Sequence, residues 1–215
     1  MKHAKPLPRE LADRYTKWKT TGYTEKEGLY KTLAREGQEP RALVISCCDS
    51  RVTISSIFNT GPGELFTHRN IANMVPPYAP EADIQGTGAA IEYAVTALKV
   101  PHIIVVGHSL CGGVKACDDM CAKGGDIKET SEFVGRWITM LEPTFAKVAH
   151  IEDDAERATT LEKENIKLSL SNLMSFPFVR DAVQSGAVQM HGLWTDISSG
   201  DLEYYDAKTG AFEPV

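Results

Sequence analysis

The chain has 215 residues, of which 42% are hydrophobic and 24% are charged, which is enough for one ordinary globular domain with a buried core. The formal net charge is -6 and no run of lysine or arginine is concentrated enough to suit nucleic acid, so such a partner is not expected. No stretch is apolar and long enough to span a membrane, and the first ten residues lack the apolar segment of a signal peptide. We therefore expect a cytoplasmic protein with no membrane partner.

The five cysteines point to the same compartment. Their number is odd and their spacing does not resemble a disulfide framework. Such cysteines are typical of a reducing environment and of metal or catalytic use.

The first 37 residues are predicted to form a polar helical arm, ahead of an α/β core over residues 38–215 in a single domain. Leu11, Tyr15 and Trp18 recur at helical spacing. Residues 24–27 have the pattern of a capping box and predict the start of a second helix.

Two apolar segments predict buried parallel strands, and each ends in reactive side chains. The run Leu43 to Ile45 leads into Cys47, and a second run over residues 103–106 leads into His108 and Cys111. Ligands bind at the carboxyl ends of strands in open parallel sheets, so the two thiols and the imidazole are expected to converge there. Two sulfurs and one nitrogen suit zinc, and three protein ligands leave a fourth position open. A cysteine that merely fills the core is the alternative for each thiol taken alone.

The rest of the chain predicts an α/β fold with a mainly parallel central sheet flanked by helices and a C-terminal antiparallel hairpin. The turn before residue 64 precedes a strand, and a helix then connects it to the second ligand-bearing strand as a β-α-β unit. The predicted elements are a strand over 64–68, a helix over 88–98, helices over 131–141, 153–174 and 176–186, and strands over 187–194 and 202–206.

Taken together, the motifs resemble those of the β-class carbonic anhydrases. Cys-x-Asp-Ser-Arg follows the first strand, and His-x-x-Cys-Gly-Gly follows the second about sixty residues later. Residues 62–73 and 86–95 are also similar to segments of that family. The resemblance implies a zinc lyase that hydrates carbon dioxide reversibly to bicarbonate and a proton, with zinc activating the water that attacks carbon dioxide.

The resemblance also implies roles for individual side chains. Asp49 would accept a hydrogen bond from the attacking oxygen, and Arg51 would keep Asp49 ionised and off the metal. The Gly112 amide and the Gln38 side chain would steady bicarbonate, with Gln38 reaching across the interface of a homodimer or of a dimer-based tetramer or octamer. The apolar pocket for carbon dioxide would be lined by Phe66, Ile71 and Tyr93.

Val44 predicts that the site is of the open, non-allosteric type. Some family members carry a tryptophan at this position and use it, with an arginine and a tyrosine, to hold a regulatory bicarbonate. Arg69 and Tyr93 match the other two positions, but valine has neither the indole donor nor its bulk. Bicarbonate would then have little differential affinity for a closed state, and activity should fall smoothly rather than cooperatively below pH 8.

Three alternative functions remain open from the sequence. A hydrolase of carbon disulfide or carbonyl sulfide would share the same motifs and differ in access to the site. A non-catalytic zinc protein would not need the Asp49 and Arg51 pair. A redox protein using Cys47 and Cys48 is disfavoured, because adjacent cysteines form strained disulfides and no Cys-x-x-Cys occurs.

Overall fold

The computed structural model describes residues 3–82, 85–124 and 131–215, and the chain divides into two compact units, residues 1–39 and 40–215. The first unit consists of helices α1 (Arg9–Thr20), α2 (Gly22–Glu25) and α3 (Glu27–Glu36). None of the three helices contains a buried residue. The three helices therefore form no buried core of their own.

The predicted capping box at residues 24–27 is wrong. The Thr24 hydroxyl donates to the Lys19 carbonyl at 3.0 Å instead of capping α3. Lys26 occupies the N-cap position of α3, and no side chain caps it. A threonine hydroxyl can satisfy a nearby carbonyl as well as a helix amide, and here the preceding helix ends close enough to offer one.

The second unit is built on one sheet of six strands within the described residues. The strands lie in the order β2-β1-β3-β4-β5-β6. The first four are mutually parallel, whereas β5 and β6 are antiparallel to their neighbours. Their bounds are β1 Ala42–Cys47, β2 Leu65–Asn70, β3 His102–His108, β4 Gln189–Thr195, β5 Leu202–Asp206 and β6 Ala211–Pro214. The predicted mainly parallel sheet with a C-terminal antiparallel hairpin is confirmed, and β6 is an additional strand that the sequence did not predict.

All six residues of β1 are buried, because helices or loops cover both faces of the sheet at its centre. Leu43 and Ile45 belong to the core on one face, with Ile91 and Ile166. Ala42 and Val44 belong to the core on the other face. The continuous apolar run in the sequence thus reflects two separate cores.

The helices of the second unit differ most from their predicted bounds at two places. The predicted helix over 88–98 is a short α-helix followed by one turn of π-helix over Tyr93–Ala97. The predicted helix over 131–141 ends as a 3-10 turn over Thr139–Leu141, and a separate helix follows it. The bounds are α4 Ile54–Ile57, α5 Gly86–Glu92, α6 Gly112–Ala122, α7 Val134–Ile138, α8 Glu142–Val148, α9 Asp154–Leu173 and α10 Pro177–Gln184.

Helix α9 crosses the sheet at close range. A Cβ atom on Gly107 would lie 2.7 Å from Ile166 Cδ1, and one on Gly192 would lie 2.8 Å from Ile166 Cγ2. These two glycines on neighbouring strands therefore make the space that Ile166 fills. A buried ion pair between Arg157 on α9 and Asp118 on α6, at 2.7 Å, ties the two helices together.

Among the described residues, no helix is long and apolar enough to cross a membrane.

Candidate metal centre

The three predicted ligands come together at the carboxyl ends of two adjacent parallel strands. Cys47 is the last residue of β1, His108 is the last residue of β3, and Cys111 is the N-cap residue of α6. One ligand atom from each lies within 4.8 Å of the others, and all three residues are buried. Within the part of the chain that the structure describes, this is the one group of at least three such side chains that could hold a metal ion.

The His108 ring is oriented as a metal ligand. Its Nδ1 lies 2.9 Å from the Ser109 carbonyl oxygen. A carbonyl can only accept, so Nδ1 carries the proton and Nε2 presents a lone pair. That Nε2 is buried and has no hydrogen-bond partner among the described residues, which is costly unless a cation binds it.

The two thiols are close enough to share one cation. The sulfur atoms of Cys47 and Cys111 lie 3.9 Å apart. Donation from Cys111 lowers the pKa of Cys47, and the same contact raises the pKa of Cys111. Two buried thiolates at this distance would repel each other, and a divalent cation between them would remove that repulsion. The donor set therefore fits zinc.

The Cys47 sulfur is also held by the segment that follows β2, through a contact that the sequence did not predict. The Ala72 amide donates to it at 3.4 Å, and Ala72 itself has a left-handed backbone with φ 60°. Asn165 on α9 fixes this segment by donating to the Ala72 carbonyl at 2.7 Å, and Trp137 donates to the Ile71 carbonyl at 2.8 Å. No local motif could have indicated either contact.

Asp49 and Arg51 form a bidentate pair beside the cluster. Asp49 Oδ1 accepts from the Arg51 Nε, and Oδ2 accepts from Nη2 at 2.7 Å. The Arg51 side chain holds the pKa of the Asp49 carboxyl well below its usual range. Arg51 Nη2 also donates to the Leu110 carbonyl at 3.0 Å, so this side chain connects the two loops that carry the ligands.

Arg69 braces the first ligand loop from the neighbouring strand β2. Its Nε donates to the Cys47 carbonyl at 2.8 Å, and its Nη2 donates to the carbonyls of Asp49 and Val52 at 2.7 and 2.9 Å. The guanidinium thus satisfies three carbonyls of the turn that follows β1. Arg69 therefore stabilises the first ligand loop, whereas the family resemblance matches this arginine to a position in a regulatory pocket.

The predicted substrate residues fall into two groups. Ile71 and Gly112 lie near the ligands, since Ile71 packs against the start of α6, where a Cβ on Gly113 would meet its Cγ2 at 2.8 Å. Phe66 and Tyr93 contact each other instead, with ring centroids 5.8 Å apart. Phe66 pairs with Leu43, four residues before the end of β1, which is about 13 Å along the strand.

An apolar cleft of about 470 Å³ opens next to the ligand-bearing segments. Ile71 lines it, and so does Cys48, the neighbour of the ligand Cys47. The sequence did not single out the other apolar side chains of the wall, which are Phe133, Val134 and Trp137. The polar side chains of His68, Asn70 and Thr87 also line the cleft. Gln38 belongs to the first unit of the chain, and its part in the site stays a prediction.

The comparisons with known proteins agree with this geometry. The family model described as carbonic anhydrase matches residues 42–202. Beta carbonic anhydrase 3 of Arabidopsis thaliana is 40% identical over 197 residues, which cover 89% of this chain and 75% of that relative. The structure of the β-carbonic anhydrase CcaA has a TM-score of 0.88 and 32% identity, with 96% of this chain and 91% of that chain covered. A tetrameric β-carbonic anhydrase of the ascomycete Sordaria macrospora has a TM-score of 0.78 and 29% identity, with 95% and 97% covered. The chain therefore belongs to the β-carbonic anhydrase family, which uses zinc and hydrates carbon dioxide.

Proposed function

We propose that this chain hydrates carbon dioxide reversibly at a zinc ion held by Cys47, His108 and Cys111, with Asp49 and Arg51 as the catalytic pair. The observation that carries the proposal is the buried Nε2 of His108, which has no hydrogen-bond partner in the described part of the chain and lies beside two sulfurs only 3.9 Å apart. Zinc, when bound at an open site, acidifies a coordinated water and so supplies a nucleophile at neutral pH.

Asp49 orients the nucleophile in this proposal. Its side chain is 16% exposed and is kept ionised by Arg51, so a carboxylate oxygen can accept a hydrogen bond from the attacking oxygen. Arg51 donates hydrogen bonds to both carboxylate oxygens at 2.9 and 2.7 Å, and these bonds restrain Asp49 from rotating toward the metal site.

The substrate pocket combines apolar and donor groups. Ile71 and the apolar cleft beside it suit carbon dioxide, which is uncharged and has no hydrogen to donate. The Gly112 amide stands at the start of α6, an 11-residue helix whose positive end favours the developing bicarbonate. The neutral substrate would therefore contact the apolar side of the site, and the charged product would contact the side that carries the Gly112 amide.

We further propose that a second subunit completes the pocket with Gln38, Phe66 and Tyr93. Phe66 lies too far along β2 to reach the ligands of its own chain, and Tyr93 is 50% exposed. Residues 1–37 would be an arm that covers the partner, since the three helices there form no buried core of their own. The relative from Sordaria macrospora is tetrameric, and a dimer or a dimer-based tetramer or octamer is proposed for this chain.

The proposed site is open and not regulated by bicarbonate. Val44 is fully buried in β1 and offers no donor, and Arg69 donates to three carbonyls of its own chain. Activity is therefore expected to fall smoothly below pH 8, and a steep, cooperative pH profile with bicarbonate inhibition would contradict the open site. The free state of all five cysteines supports the proposal of a cytoplasmic location.

A hydration assay on a matched pair of aspartate variants tests the catalytic role. Asp49→Asn should lower kcat by at least about 100-fold while zinc stays bound, since the carboxylate acts on the reacting oxygen. Asp119→Asn removes an exposed carboxylate that pairs with Lys115 on α6, and it should leave kcat unchanged. Wild-type kcat in Asp49→Asn would refute the role of this carboxylate. A panel of carbon dioxide, carbonyl sulfide and carbon disulfide, run on the wild type, should show preference for carbon dioxide.

A further inference from the structure

We propose that Glu162, a carboxylate on α9, is a positioning residue that fixes the ligand Cys111 through its backbone amide. The proposal rests on the proposed zinc site and adds a group that acts behind it. Glu162 is 4% exposed, and it stands 51 residues after the ligand that it contacts.

Among the described residues, two side-chain hydrogen bonds reach Glu162, and they come from two different elements. The Cys111 amide donates to Oε1 at 3.0 Å, and Trp194 Nε1 at the end of β4 donates to Oε2 at 3.1 Å. The carboxylate therefore links α9, the second ligand loop and the sheet. Both neighbours are donors, so the position requires a group that accepts on both of its atoms.

The ligand loop needs such an anchor because its backbone is strained just before Cys111. Leu110 has φ 58°, in the left-handed region, and its side chain cannot offset the cost by burial because the residue is 66% exposed. Arg51 holds the loop from one side through the Leu110 carbonyl, and Glu162 holds it from the other through the Cys111 amide. The peptide bond between Leu110 and Cys111 is thus held at its carbonyl by Arg51 and at its amide by Glu162, and this fixes the direction of the Cys111 side chain.

Helix α9 is itself well fixed, so Glu162 is a rigid support. Ile166, one turn further along the helix, fills the space left by Gly107 and Gly192. A group on this helix can therefore define the position of the loop to within a few tenths of an ångström, which metal ligation requires.

The test measures how fast zinc is lost to an excess of a chelator, and it needs no activity assay. Glu162→Met removes both acceptors at similar length, and it should speed zinc loss about 10-fold or more. Trp194→Phe removes the indole donor to Glu162 and leaves the bond from the Cys111 amide in place. The rate of zinc loss from this variant should stay within about 3-fold of the wild-type rate. In Glu162→Gln the amide NH₂ must face one of the two donors, so this variant should also lose zinc faster.

The decisive variant combines Glu162→Gln with Trp194→Phe. Its glutamine oxygen can accept from Cys111 while the NH₂ faces a phenylalanine, so zinc loss should return to within about 3-fold of the wild type. If the bond to the Cys111 amide does not control zinc retention, the double variant should lose zinc no more slowly than Glu162→Gln. Zinc loss from the double variant as fast as from Glu162→Gln, or a wild-type rate in Glu162→Met, would overturn the proposal. If Glu162→Met does not fold, the comparison of Glu162→Gln with the double variant decides it. A wild-type protein that binds no zinc would instead refute the proposed function.

Discussion

The close approach of α9 to the sheet predicts that Gly107→Ala destabilises the protein. Replacing a glycine by alanine at a compatible backbone usually stabilises a protein by about 0.4–1 kcal/mol. Here the new Cβ would lie 2.7 Å from Ile166 Cδ1 and 2.9 Å from its Cγ1, and Ile166 is fully buried. Overpacking of this kind costs about 1–3 kcal/mol, so it outweighs the gain. We expect a net loss of about 1–2 kcal/mol, or a fall in Tm of about 2–8 °C for a chain of this size.

A second substitution identifies the responsible atom. Ile166→Val deletes Cδ1 and alone costs about 0.5–1.5 kcal/mol. Combined with Gly107→Ala it should cost about 1 kcal/mol less than the sum of the two single changes. Gly192→Ala is the matched control, because its Cβ would meet Ile166 Cγ2 at 2.8 Å, an atom that valine keeps.

Urea or thermal unfolding at fixed zinc and protein concentrations measures these differences. Full additivity of Gly107→Ala with Ile166→Val, or a Gly107→Ala variant as stable as the wild type, would refute the reasoning. Gly107 directly precedes the ligand His108, so a shift of the strand at this point should also weaken zinc binding.

Three further predictions concern single residues. Leu110→Gly should raise the free energy of unfolding by about 0.5–1 kcal/mol, because relief of the left-handed backbone exceeds the added chain entropy; a loss of stability in urea unfolding would contradict it. Burial, together with the charge of His102, lowers the pKa of His191 below 6.5, so the unfolded state binds more protons below that pH. Stability should therefore fall as pH drops from 7 through the lowered pKa, and His191→Gln should lose less of it than the wild type; equal pH slopes would rule this out. Arg69→Gln removes the donor to three loop carbonyls and should lower the thermal midpoint and speed zinc loss to a chelator, whereas unchanged values would show that the loop holds itself.

The ligand set and the sheet could be predicted because the information is local. A buried parallel strand requires a continuous apolar run, and Cys47 and His108 stand where two such runs stop. Asp49 and Arg51 follow within four residues of Cys47, so their pairing depends only on one turn of chain. The alternating pattern of β4 and β5 likewise depends only on neighbouring residues.

The supports of the site could not be predicted, because they come from distant segments. Glu162 lies on a helix that is rich in glutamate, and nothing in its neighbourhood distinguishes it from a solvated residue. Asn165 reaches the Ala72 carbonyl across 93 residues of sequence. The π-helical turn over Tyr93–Ala97 was missed for another reason, since its i to i+5 bond from Leu98 to Tyr93 leaves no periodic pattern of apolar residues.

The zinc content of purified variants tests the central claim most directly. The wild type and Cys48→Ser, which changes the exposed neighbour of a ligand, should each carry about one zinc per chain. Cys47→Ser, His108→Ala and Cys111→Ser should each lose most of that zinc, because each removes one of only three protein ligands. Full zinc in all three ligand variants would contradict the assignment of the metal centre.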